Sequence, residues 1–184
     1  MRGDAIPFPI EDGDLCAERA GYRFCPEFGG VKMKMEREKI EELVREAYAA
    51  QKYAYAPYSG FTVGAALLTG NGEIYRGCNI ENASYSPTNC AERTAFFKAV
   101  SEGITDFKAI AIVGNRKGEK GDFCPPCGVC RQVMAEFCDP DEFMIILGAG
   151  SAYELHTLRE MLPYGFTGAD MDQQQAGGEG EGGI

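Results

Sequence analysis

Residues 61–80 read FTVGAALLTGNGEIYRGCNI. Two strand-like runs, 61–68 and 73–80, flank Gly70-Asn71-Gly72. Glycine and asparagine supply the backbone positions that tight turns require, so the segment predicts a β-hairpin. Upstream, Tyr58-Ser59-Gly60 breaks a segment of a different period. Across 36–51, Ile40, Leu43, Val44 and Ala47 recur at helical spacing, with Glu and Arg on the other side. That pattern predicts an amphipathic helix. Downstream, Pro87-Thr88-Asn89 supplies helix-start chemistry, and Cys90 to Val100 read as a helix ended by Gly103.

Farther on, FKAIAIV at 107–113 is a continuous apolar run and reads as a buried strand. A polar loop at 114–122 follows, and Pro125-Pro126 suit the start of a helix running to about Phe137. EFMIILG at 142–148 reads as a further buried strand, and 154–162 as a short helix ended by Pro163. The order α-β-β-α-β-α-β-α implies a three-layer α/β/α sandwich around a mixed central sheet. The expected domain spans 33–168. Residues 1–32, with Pro7, Pro9, Pro26 and Gly29-Gly30, read as an irregular N-terminal extension. Residues 169–184 are rich in Gly and Gln and read as a disordered tail.

The bulk numbers narrow the partners. The 184 residues are 45% hydrophobic and 25% charged, enough apolar material for a core without staples. Asp and Glu outnumber Lys and Arg 28 to 18, for a net charge of −10. A protein that grips a phosphate backbone needs clustered cations, so long nucleic acids are excluded as partners. A small neutral substrate meets no such difficulty. No segment approaches the ~20 apolar residues of a membrane span. Residues 1–30 lack a basic stretch followed by an apolar run, so a cytoplasmic location is expected. In that compartment eight cysteines read as thiols or metal ligands rather than disulfides.

Cys90-Ala91-Glu92 and Pro126-Cys127-Gly128-Val129-Cys130 both sit at predicted helix starts. Unpaired N–H groups and the helix dipole stabilise thiolates there. Cys127 and Cys130 are three apart and share one face of the first turn. Three thiolates plus water give a four-coordinate zinc site with one open position, the catalytic pattern. Glu92, two residues past Cys90, can lie beside the metal without binding it. A carboxylate there can take a proton from the attacking water, then pass it to a ring nitrogen and to leaving ammonia. A nearby Glu followed by P-C-x-x-C is the arrangement of zinc nucleobase deaminases, here with cysteine at every ligand position.

The segments Cys78-Asn79-Ile80-Glu81-Asn82-Ala83, Cys90-Ala91-Glu92-Arg93-Thr94-Ala95 and Pro126-Cys127-Gly128-Val129-Cys130-Arg131-Gln132-Val133-Met134 resemble the homotetrameric cytidine deaminases. Tyr58-Ser59-Gly60-Phe61 with Val63 to Leu67, and Leu162-Pro163 followed by Phe166, are also similar to that family. The resemblance covers about 36–168 and implies zinc-dependent hydrolytic deamination of cytidine and 2′-deoxycytidine, a reaction of pyrimidine salvage. It implies that Cys90, Cys127 and Cys130 hold zinc and that Glu92 is the proton shuttle. Asn79 and Glu81 would hydrogen-bond the ribose near its 3′-hydroxyl, and Ala91 would offer backbone contacts to the base. Phe61 and Phe166 would pack against the nucleoside, Phe166 from a neighbouring subunit. Tyr85 would line a site across the interface of a homotetramer. Arg93 would donate to the zinc thiolates, and there is a physical reason for it. Three thiolates on a divalent zinc leave a net negative centre, and a guanidinium beside it restores Lewis acidity.

Several features stand apart from this pattern. Residues 16–20 read Cys-Ala-Glu-Arg-Ala, a near copy of the metal motif taken as chance, since no second P-C-x-x-C completes it. Cys124 makes a second C-x-x-C with Cys127, so a module built on Cys124, Cys127, Cys130 and Cys138 is the competing metal set. That closed four-thiolate site would leave Glu92 without a purpose. A deaminase of a nucleoside antibiotic is the other alternative. The paired amide and carboxylate of Asn79 and Glu81 favour an ordinary nucleoside. His156, the sole histidine, lies outside every motif and reads as structural.

Overall fold

The computed structural model describes residues 35–116, 119, 121–168 and 170–171. The extension 1–32, the Cys16–Ala20 motif copy and the glycine-rich end 172–184 lie outside the described residues. The elements run α1 (Arg37–Gln51), β1 (Phe61–Thr69), β2 (Ile74–Cys78), α2 (Ala91–Ser101), β3 (Phe107–Arg116), α3 (Gly128–Phe137), β4 (Met144–Ala149), β5 (Ala152–Thr157) and α4 (Leu158–Met161). They build one mixed five-stranded sheet in the order β2-β1-β3-β4-β5. Only the β3–β4 pair is parallel, as expected for strands joined through a helix.

Each face of the sheet carries its own apolar cluster. On one, Leu43, Val44 and Ala47 of α1 pack on Ala66, Ala109, Ala111 and Ile146. On the other, Ala95 and Phe96 of α2 and Met134 of α3 pack on Leu67, Ile110, Ile112 and Ile145. The result is the expected α/β/α sandwich. Two glycines let the helices lie directly on the strands. A Cβ at Gly64 would stand 2.0 Å from the Ala47 carbonyl oxygen of α1. A Cβ at Gly77 would stand 2.2 Å from the Ala91 carbonyl oxygen of α2.

The closing segment differs from the sequence expectation. Residues 152–157 form a strand, and the helix is confined to Leu158–Met161. The buried strand β4 has hydrogen-bonding groups on the side away from β3, and β5 satisfies them in antiparallel register, with Ile145 opposite His156. That demand outweighs the helical preference of Glu154 and Leu155. The true helix start carries a capping box: Thr157 Oγ1 accepts from the Glu160 N–H, and the Glu160 carboxylate accepts from the Thr157 N–H.

Candidate active site

Two helices on the same face begin at one point. Cys90 is the residue that caps α2, whose first turn begins one position later than the sequence suggests, and Cys127 is the one that caps α3, which begins at Gly128 rather than at Pro125-Pro126. Cys130 lies on the first turn of α3 and is buried. Neither capping thiol is hydrogen-bonded to its own helix as a cap. Instead Cys90 Sγ lies 3.8 Å from Cys127 Sγ, and Cys127 Sγ lies 3.5 Å from Cys130 Sγ. All three sulfurs fall within 4.8 Å of one another, the one group of its kind among the described residues. Cys138, at the far end of α3, does not join them.

The spacing fits zinc. With Zn–S bonds of about 2.3 Å, the edge of a tetrahedron is roughly 3.8 Å. The charges around the trio fit as well. Hydrogen bonding from Cys130, then the Arg93 guanidinium and Cys127, hold the Cys90 thiol down at about 5. The hydrogen bond to Cys90, then burial, push the Cys130 thiol up. Arg93 Nη2 lies 3.6 Å from Cys90 Sγ and donates to the Thr88 carbonyl at 3.1 Å. Arg93 Nε is buried with no hydrogen-bond partner among the described residues. A buried guanidinium whose Nη2 lies beside Cys90 Sγ suits a donor to metal-bound thiolates.

Glu92 is 4% exposed, on the first turn of α2 beside Cys90. Burial, the largest influence, pushes its carboxyl up to about 7, with the Cys90 charge adding to the rise. A carboxyl near neutrality can both accept and release a proton, which is what general acid–base work needs. Ala91, the residue before it, is fully buried.

A second group of predicted residues surrounds the start of β1. Asn79 Nδ2 donates to the Phe61 carbonyl at 2.9 Å, and its Oδ1 accepts from the Val63 N–H at 2.8 Å. Glu81 accepts from the Ser59 hydroxyl and from two loop N–H groups, which hold its carboxyl below the usual range. Phe61 and Cys124 line a cavity of about 230 Å³. Cys124 links the two groups. A Cβ on Gly114 would stand 2.8 Å from Cys124 Sγ and 3.1 Å from Phe61 Cε1. Burial, then the charges of Glu92 and Cys90, push the Cys124 thiol up to about 11, which keeps it protonated.

Two predicted residues lie apart from these groups. Tyr85 and Phe166 are 77% and 56% exposed. The Phe166 backbone is nevertheless tied to α3, because Gln132 Nε2 donates to its carbonyl at 2.7 Å. Arg131 was not singled out in the sequence. Its Nε donates to the Pro126 carbonyl and its Nη1 to the Met161 carbonyl, both at 2.7 Å. It therefore fixes the peptide before Cys127 to the end of α4. Its position beside Cys130 was the available signal, but both acceptors are main-chain atoms that leave no mark in a sequence.

Residues 37–146 match the family model described as the cytidine and deoxycytidylate deaminase zinc-binding region. The chain belongs to that family. This deaminase is 54% identical over 132 residues to a cytidine deaminase of Halalkalibacterium halodurans, covering 71% of this chain and 96% of the relative. It is 49% identical over 132 residues to a cytidine deaminase of Sporosarcina psychrophila, covering 72% and 94%. A crystal structure of cytidine deaminase from Burkholderia pseudomallei matches with a TM-score of 0.63 and 43% identity. That match covers 72% of this chain and all of the other. The deaminase is a zinc enzyme, with Cys90, Cys127 and Cys130 as its possible metal site. Among the described residues no helix is long and apolar enough to cross a membrane.

Proposed function

We propose that this chain hydrolyses the 4-amino group of cytidine and 2′-deoxycytidine, giving the uridine forms and ammonia in pyrimidine salvage. The observation that carries the reading is Glu92, a buried carboxyl held near neutrality beside three converging thiols. Zinc held by Cys90, Cys127 and Cys130 supplies Lewis acidity there. Glu92 takes a proton from the water that bonds to C4 and delivers it to N3 of the ring. It then moves the remaining proton of the new C4 hydroxyl to the amino group, so that the C4–N bond breaks, ammonia leaves and the C4 carbonyl forms. Arg93 offsets the charge of the thiolates. The Ala91 backbone meets the base, Phe61 walls the ring, and Asn79 and Glu81 hold the sugar.

The exposed rings of Tyr85 and Phe166 support a further reading. They complete the site of a neighbouring copy in a cytoplasmic homotetramer. Large aromatic side chains left in water are the usual anchors of such contacts.

The test follows cytidine by its ultraviolet absorbance, with Glu92→Ala alongside. The expected outcome is conversion by the natural chain, and turnover lower by about 10²–10⁴-fold in a variant that still holds zinc. Near-native turnover by Glu92→Ala overturns the assignment.

A further inference from the structure

The loop before β1 is held by side chains that no step of the chemistry requires. Glu81 Oε2 accepts from the N–H groups of Tyr58 at 2.8 Å and Ser59 at 3.2 Å. Glu81 Oε1 accepts from the Ser59 hydroxyl at 2.5 Å. Ser59 Oγ in turn accepts from the Phe61 N–H at 2.9 Å. The Phe61 carbonyl is held by Asn79. Both main-chain polar groups of Phe61 are thus held by side chains, one of them through Ser59.

The donor and acceptor count is informative. An ionised carboxylate has about four acceptor positions, and the loop fills three of those on Glu81. One remains, the number that a single hydroxyl needs. Asn79 has likewise one N–H and one lone pair beyond its bonds to Phe61 and Val63. Ser59 is the group that fixes where the remaining Glu81 lone pair points, because its hydroxyl holds Oε1.

We propose that Ser59 is a positioning residue. Its hydroxyl, bonded to Glu81 and to Phe61, sets the carboxylate that reads a sugar hydroxyl and the ring that walls the nucleoside at the same time. This rests on the roles given to Glu81 and Phe61 under the proposed function. The loop does not depend on Ser59 to stay folded. Tyr55 donates to the Asn79 carbonyl at 3.0 Å and accepts from the Glu81 N–H at 2.8 Å. Gly60 N–H donates to the Ala56 carbonyl at 3.1 Å. Removing the hydroxyl therefore loosens an orientation and leaves the path of the chain.

The test uses the full, zinc-loaded chain with cytidine and 3′-deoxycytidine as paired substrates. The natural chain is expected to prefer cytidine. In Ser59→Ala, KM for cytidine should rise about tenfold, as when one charge-assisted hydrogen bond is lost, with kcat within about twofold. The preference for cytidine over 3′-deoxycytidine should collapse towards unity, and Ser59→Thr should restore it. A general loss of stability would lower both substrates alike and leave their ratio unchanged. An unchanged ratio in Ser59→Ala, or a loss confined to kcat, overturns the proposal. If the natural chain deaminates cytidine but does not discriminate between the two sugars, the role given to Glu81 falls and the proposal with it. If it deaminates neither, the proposed function itself has failed.

Discussion

The two faces of the sheet both bury an apolar cluster, yet under the proposed function only one carries chemistry. On the α1 face the cluster is largely aliphatic, built from Ile40, Leu43, Val44 and strand residues such as Ile146. On the other face the buried rings of Phe96, Phe107 and Phe143 pack among aliphatic residues, with Phe96 and Phe107 in an edge-on contact at 4.9 Å. The decisive difference is how the helices meet the sheet. Among the described residues a single helix, α1, covers its face, and no second helix begins beside its start. On the opposite face α2 and α3 begin side by side, so their N-terminal N–H groups and positive dipole ends favour anionic sulfur at one point. The reactive site follows from where two helices start, and the sheet supplies the floor.

That comparison can be broken in three ways, the largest effect first. Cys90→Ala should lose its zinc and all measurable turnover, while Cys138→Ala, buried at the other end of α3, should keep both. Metal content per chain measures this, and full zinc in Cys90→Ala would refute the ligand set. Leu43→Ala on the aliphatic face should cost about 2–5 kcal/mol in denaturant unfolding, with kcat per folded molecule unchanged. A fall in kcat there would mean that the quiet face is coupled to the site. The glycine pair sharpens the contrast. Ala at either position meets helix backbone, a strain of about 1–3 kcal/mol. Gly64→Ala displaces α1 and should lower only Tm. Gly77→Ala displaces the start of α2, carrying Cys90 and Glu92 with it, and should lower Tm, zinc content and kcat together. Equal zinc and kcat in the two variants would show that α2 can shift without moving the site.

Most of this layout is legible in the sequence because it rests on local rules. Helical spacing at Ile40, Leu43, Val44 and Ala47 marks α1, Gly70-Asn71-Gly72 marks the hairpin, and the Cys-x-Glu and Pro-Cys-x-x-Cys segments mark the site. What escapes depends on partners distant in the chain. β5 is a strand because β4 lies beside it, and the brief alternation of Tyr153, Glu154, Leu155 and His156 is too short to decide it alone. A local signal for the true start of α4 did exist, in Thr157-Leu158-Arg159-Glu160, a capping box whose helix begins after the threonine. The bonds of Asn79 to Phe61 and Val63, and of Arg131 to Met161, join side chains to backbone far away in the sequence. Residue identity shows that such a donor exists and cannot show which carbonyl receives it.

Cys90 and Cys127 stand 37 positions apart, and their sulfurs are brought together at the starts of two helices. Under the proposed ligand set an ion rather than a covalent bond is the joint, and the strength of that corner then depends on a quantity outside the chain. While free zinc exceeds its dissociation constant, each tenfold change in its concentration alters folding stability by about 1.4 kcal/mol. Trace-metal supply therefore enters the same thermodynamic balance as the packing of Phe96, and a shortage weakens the fold along with the reaction.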